Sequence, residues 1–265
     1  MINLIPARMI EQLKFQVYEP CVQLKPWLQC LWSIDTSGSL TFSSSKFYPE
    51  GGATLRITLS SADPLIHVIL NKHTYQETVN NQYPMIGIRF NPSGIYTLLG
   101  LNLSPYTNLF IRLGEELSPL WYASLTQLIE TMPWSNFPLC VQLLQTWLLT
   151  LVTQPNCHNK ALALAKTVQT SNLPIQDLAT SLGLTKRTLE RRLKNESGFS
   201  PKELISIRRL QQARLLLCHS GSDLSDIATQ CGYFDQAHFT HSFKQLTAET
   251  PSGYRKRKLS QNYNI

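Results

Sequence analysis

Arg187 and Arg191 stand four residues apart, and on a helix that spacing stacks two guanidinium groups one turn above the other. An Arg fork carries paired donors that match guanine O6 and N7 in the major groove, so these two are candidate base contacts. Lys186, Thr188 and Lys194 flank them and suit phosphate contacts, while Glu190 would either accept from a cytosine amine or orient a neighbouring Arg. Fifty residues on, Gln236, His238, His241 and Lys244 remain to face outward, with Gln236 suited to adenine. A basic face turned only to solvent is the alternative reading. Nothing comparable suggests catalysis or metal binding. His67 and His73 have no carboxylate companions, and the six cysteines (Cys21, Cys30, Cys140, Cys157, Cys218, Cys231) form no C-x-x-C pair. No cofactor is expected.

These residues need helices to aim them, and the sequence supplies the helices twice. Asp177-Leu178-Ala179-Thr180 returns 49 residues later as Asp226-Ile227-Ala228-Thr229, and Gly183 returns as Gly232. One extra residue then enters, after which Thr185 matches Asp235, Leu189 matches Phe239, Leu193 matches Phe243, and Ser200-Pro201 matches Thr250-Pro251. Each copy has helix-turn-helix grammar. The first predicts a helix over Ile175–Leu182, Gly183 just past its end, Thr185 as an N-cap, and a second helix over Lys186–Glu196 with Leu189 and Leu193 inward. The second predicts Ser225–Cys231, a turn at Gly232-Tyr233-Phe234, and Gln236–Leu246 capped by Asp235. Between them Ser200-Pro201-Lys202-Glu203 spells a capping box with Pro at the first helical position. The helix it starts runs through Leu204, Ile207, Leu210 and Ala213 to Leu217, a rod of roughly 26 Å. Such a rod could hold two recognition helices near the ~34 Å spacing of successive major-groove faces.

The rest of the chain frames this unit. Residues 1–157 carry a charge of −1 and residues 158–265 a charge of +8, so the basic excess is local and points to a polyanion surface. Arg255-Lys256-Arg257-Lys258 fits either a phosphate contact or a solvated tail. Leu55–Leu59, His67–Leu70 and Met85–Phe90 read as short strands, and Gly94–Leu101, Glu115–Met132 and Pro138–Val152 as helices. The polar, Pro-containing stretch around 155–159 is the expected linker, between a regulatory domain over 1–154 and a DNA-binding domain over 160–260. No apolar run reaches the roughly 18 residues of a membrane span, and Met1–Pro6 lacks a signal peptide's basic start; a cytoplasmic protein is expected.

In order, Leu184 to Leu193, Gly198-Phe199-Ser200-Pro201, Arg208 to Leu216, Asp226-Ile227-Ala228, Cys231-Gly232-Tyr233, Phe239 to Lys244 and Thr250 to Arg255 resemble the AraC/XylS family of transcription regulators. The resemblance covers about residues 160–258. It departs at His241, where the family usually has Arg, and at Ala248, where it usually has Gly. Tyr48 to Ile57 and Gly87 to Gly94 resemble a regulatory domain found in some such proteins. What the resemblance implies is a two-domain α+β protein: an N-terminal mostly-β regulatory domain with helices, cupin-like as one form, and a C-terminal all-α domain of two helix-turn-helix units joined by a long helix. It further implies a sequence-specific transcription regulator, an activator, whose partners are double-stranded DNA and RNA polymerase. A small-molecule effector or protein partner would act at the N-terminal domain, and a homodimer is one assembly. Tyr48, Glu50, Arg56 and Arg89 are the candidates for a ligand pocket, a structural Glu–Arg pair being the alternative. Alkyl-transfer DNA-repair enzymes can carry the same unit, and Pro155-Asn156-Cys157-His158 invites comparison with them. That Cys lies in the linker without the grouped ligands of a zinc-held acceptor, so no enzyme is expected.

Overall fold

The computed structural model describes residues 14–35, 42–60, 64–80, 82–105, 109–114, 119–152 and 159–262. Its first half is built on an antiparallel sheet of β1 (Gln16–Tyr18), β2 (Leu28–Ile34), β4 (Thr54–Leu59), β5 (Pro64–Leu70), β7 (Met85–Phe90) and β8 (Leu109–Arg112), in the order β1-β2-β7-β4-β5-β8. Alternation decides which way each side chain faces. In β4, Leu55 and Ile57 point to the core and meet Ile88 and Ile86 of β7, while Arg56 points to the other face between Gly87 and His67. A two-stranded ribbon of β3 (Phe42–Phe47) and β6 (Tyr75–Asn80) covers that second face. Phe47 stacks on Tyr75 and packs against Cys30, Trp32, Ile34 and Met85, and Arg56 reaches Glu77 of the ribbon at 2.9 Å.

Helices cover the core face: α1 (Gly94–Leu99), α2 (Pro119–Thr131) and α3 (Phe137–Val152). The apolar stripe expected along α3 is there, with Leu144, Trp147, Leu148 and Leu151 buried. Of the expected helix over 115–132, residues 115–118 lie outside the described residues. So do 155–158 of the expected linker, with Cys157 and His158; Asn159 opens α4 (Asn159–Thr170).

The remaining helices are α5 (Ile175–Ser181), α6 (Lys186–Ser197), α7 (Pro201–His219), α8 (Leu224–Gln230), α9 (Gln236–Thr247) and α10 (Pro251–Asn262). The main core is continuous from the sheet through Leu164 and Val168 of α4, Leu178 of α5, and Leu189 and Leu193 of α6 to Leu204 and Ile207 of α7. One turn further along α7 the allegiance changes. Leu210, Ala213 and Leu217 belong to a second core with Ile227, Tyr233, Phe239, Phe243 and Tyr254. The long helix therefore serves both helix-turn-helix units, one half each. The C-terminal basic run is no solvated tail: α10 buries Tyr254 and Lys258, and Arg255 donates to the carbonyls of Leu217 and Ser222 at 3.3 and 2.7 Å.

Candidate nucleic-acid interface

The two turns are built from the same hydrogen bonds. Gly183 (φ 67°) donates to Thr180 O and Leu184 to Ala179 O; Gly232 (φ 75°) donates to Thr229 O and Tyr233 to Ala228 O. Thr185 Oγ1 then accepts from Thr188 N at 3.1 Å to start α6, and Asp235 Oδ1 accepts from His238 N at 2.7 Å to start α9. Each cap satisfies a backbone donor that the first turn of a helix would leave bare. In α6, Lys186, Arg187 and Arg191 are exposed, Thr188 and Glu190 are half-buried, and Arg192 folds back on Glu196 at 3.2 Å. Lys194 leans away from that row toward Lys72 of the β5–β6 connection. Burial lowers its pKa most, and the neighbouring ammonium lowers it further. In α9, Gln236, His238, His241 and Lys244 are all exposed, and in α6 Lys186, Arg187 and Arg191 form the exposed row. His238 also has a local task. Its Nδ1 accepts from Phe234 N at 3.3 Å and its ring meets Tyr233 edge-on at 5.5 Å.

The spacer α7 starts with the predicted capping box: Ser200 N donates to Glu203 Oε2 at 2.7 Å and Glu203 N donates to Ser200 Oγ at 3.3 Å. Its 19 residues span about 28 Å. The helix ends differ between units. Gly198 closes α6 with φ 80°, and a Cβ there would stand 2.2 Å from Leu70 of the sheet, so the site needs glycine twice over. Ala248 closes α9 in the same left-handed conformation, φ 58°, where a side chain is strained.

Of the four N-terminal candidates, Tyr48 and Glu50 bond to the C-terminal helices, and Arg56 bonds to the ribbon. Glu50, buried, pairs with Arg214 of α7 at 2.9 Å and accepts from Gln211 Nε2 at 2.9 Å. Burial works to raise its pKa, but Arg214 and Arg89 with the Arg214 and Gln211 hydrogen bonds outweigh it and hold the carboxyl below the usual range. Tyr48 lies under the Arg214 guanidinium at 4.2 Å from its ring centre, donates to Glu249 Oε1 at 2.6 Å and accepts from Arg257 at 2.7 Å. Arg89 lies with its charge near Glu50 and, on the same ribbon-covered face as Arg56, near Tyr75, while Arg56 pairs with Glu77. Glu50 thus forms its ion pair not with Arg56 or Arg89, the Arg candidates of the N-terminal part, but with Arg214, 164 residues away, and that pair joins the two halves of the molecule. Sequence reading missed Arg214, Gln211, Glu249 and Arg257 in this role, because only docking brings them to Tyr48 and Glu50. The same docking ties Lys72 to Glu203 at 2.6 Å, and Leu103 N and Thr74 N to the carbonyls of Asn195 and Leu246 near the ends of the two recognition helices.

Residues 178–257 match the model of a helix-turn-helix domain, and residues 16–112 match a domain of unknown function (DUF6597). Over 79 residues the chain is 40% identical to the HTH-type transcriptional activator RhaS of Yersinia pestis (strain Pestoides F), and equally so to that of Yersinia pseudotuberculosis serotype O:1b (strain IP 31758). That stretch is 30% of this chain and spans 29% of the length of each relative. Among solved structures, the C-terminal domain of the response regulator AraT from Geobacillus stearothermophilus is 29% identical with a TM-score of 0.33, over 36% of this chain and 78% of that one. ToxT from Vibrio cholerae is 16% identical with a TM-score of 0.39, over 83% of this chain and 99% of that one. The motifs in order, the duplicated turns and the 40% identity agree: behind its β-rich N-terminal domain, the chain carries a C-terminal helix-turn-helix domain that is similar to those of AraC/XylS-type regulators.

Proposed function

We propose that the protein is a sequence-specific DNA-binding transcription regulator, an activator, that inserts α6 and α9 into successive major-groove segments of one duplex. The observation that carries this is the pair of turns that share the same glycine-centred backbone hydrogen bonds, each followed by a capped helix with exposed polar residues. In this reading Arg187 and Arg191 contact base edges in the first half-site, Lys186 and Thr188 hold phosphates, and Glu190 orients or accepts. Gln236, His238, His241 and Lys244 read and hold the second. The local charge of +8 over residues 158–265 supplies the non-specific attraction. The activator role takes up the name of the RhaS relatives, transcriptional activators, and a contact with RNA polymerase is part of the same proposal. The division into a regulatory domain over 1–154 and a DNA-binding domain over 160–260 belongs to the same proposal, as does action in the compartment that holds the DNA. An effector or a second copy of the chain would bias the docked arrangement around Glu50 and Arg214. The test is selection of bound sites from a random duplex library by the full chain. Two half-sites about one helical turn apart are expected, with binding that weakens with salt at a log–log slope near −0.9 per phosphate neutralised. Equal binding to selected and random duplexes would overturn the claim of sequence specificity.

A further inference from the structure

The duplicated turns differ by one residue, and the hydrogen bonds identify it. Gly183 and Gly232 match, Leu184 and Tyr233 match through their bonds to Ala179 O and Ala228 O, and Thr185 and Asp235 match as caps. Phe234 alone has no counterpart. It stands immediately before the N-cap of α9 with 92% of its surface exposed, the most exposed large apolar residue among those described.

A single apolar residue on a surface is ordinary. Phe234 is unusual in how firmly its backbone is held while its ring is left bare. On one side Tyr233 is buried, packs on Phe239 at 5.1 Å and lies under the Arg209 guanidinium at 5.7 Å. On the other side Asp235 caps the helix. Phe234 N itself donates to His238 Nδ1. The ring therefore projects from a fixed point at the N-terminal end of a recognition helix, the end that approaches base edges in helix-turn-helix docking. Of its neighbours there, Asp235, Gln236 and His238 are polar and exposed, and Ala237 is exposed with a single methyl group to offer. On the major-groove floor the apolar group on a base edge is the C5-methyl of thymine, and Phe is among the residues that contact it.

We propose that Phe234 is a specificity-determining residue that packs against a thymine methyl in the second half-site. This rests on the DNA-reading role proposed above. It adds one apolar reading position that the first unit does not have, and it gives His238 the task of positioning Phe234.

The experiment uses the full chain and the duplex selected by the wild-type protein. Each thymine of the second half-site is replaced in turn by deoxyuridine, which removes the methyl and leaves every hydrogen-bonding group in place. Wild-type protein is expected to lose roughly fourfold in affinity at one position, the effect of taking one methyl out of apolar contact. Phe234→Ala should bind the thymine duplex more weakly and show no further loss at that deoxyuridine, while Phe234→Leu should keep part of the sensitivity. An unchanged deoxyuridine response in Phe234→Ala, or a selected half-site with no thymine requirement, would overturn the proposal while leaving the regulator reading intact. A Phe234→Ala protein with wild-type affinity but defective transcription would overturn it too, in favour of a protein contact. Failure of the wild-type chain to select any site would remove both.

Discussion

Arg191 and Lys186 make the distinction between reading and holding testable side chain by side chain. Both are exposed on α6, but a forked guanidinium can satisfy two acceptors of one guanine, whereas an ammonium acts as a point charge toward phosphate. Arg191→Ala should weaken binding to the selected site by about 1–3 kcal/mol and relax preference at one base pair. Lys186→Ala should weaken all duplexes alike and flatten the salt slope by about 0.9. Competition binding against single-base variants separates the two, and a uniform loss for Arg191→Ala would demote it to a backbone contact. His241 stands where the family usually has Arg, so the second unit lacks the forked donor that Arg187 and Arg191 give the first. The apolar contact assigned to Phe234 would offset part of that difference.

The helix end at Ala248 shows strain at the level of an element. The first unit ends α6 with glycine in the left-handed conformation; the second ends α9 with alanine in it, exposed and with its N–H donating to Lys244 O. The left-handed conformation costs a residue with a Cβ roughly 1–2 kcal/mol that glycine avoids, less the larger entropy glycine loses on folding. Ala248→Gly should therefore stabilise the fold by about 1 kcal/mol, seen as a higher midpoint in urea with the same slope. No gain would mean that the contacts of Glu249 and Thr247 have already relaxed the turn. The elements themselves were largely legible. The cap at Thr185, the capping box at Ser200 and Glu203, and the bounds of α7 and α9 follow from local chemistry at helix ends and appear where the residues put them. Short edge strands such as β1, and the ribbon of β3 and β6, were not, because Gln16–Tyr18 and Phe42–Phe47 have too few apolar residues for a clear alternation.

At the scale of the molecule, the N-terminal domain grips both recognition units. Glu50 holds α7 through Arg214 and Gln211, Tyr48 holds α10 through Arg257 and Glu249, and Lys72 holds the start of α7 through Glu203. Removing one partner of a buried ion pair leaves the other charge in low dielectric. Glu50→Gln should accordingly lower stability by about 3 kcal/mol in chemical denaturation, with Arg214 the stranded charge. The pH dependence has a definite sign. For Glu203 burial raises the carboxyl pKa, and hydrogen bonds from Lys72 and Ser200 more than reverse it. For Glu249 the reversal comes from Arg257 and Tyr48, and for Glu50 from Arg214 and Arg89. All three are lower folded than the ordinary value of 4.5, so the unfolded chain binds more protons below it. Their contribution is present above about pH 4.5 and is lost as the pH falls further. The acid limb of stability against pH should be shallower in Glu50→Gln than in the wild type; superimposable limbs would show that the pair does not sense protonation.

The duplicated unit was decided by sequence alone, since caps, glycine turns and apolar seams act over a few residues, and a repeat in register makes chance improbable. That same register flagged the extra residue before α9, though only the structure showed Phe234 to be bare and fixed. Tertiary structure alone decided what Tyr48 and Glu50 do. Their residue types do not name their partners, which lie more than 160 residues away and are reached only when the sheet docks on the long helix. Pairing across such a distance depends on which faces remain to be buried once each half has folded, and no local pattern of residues carries that information.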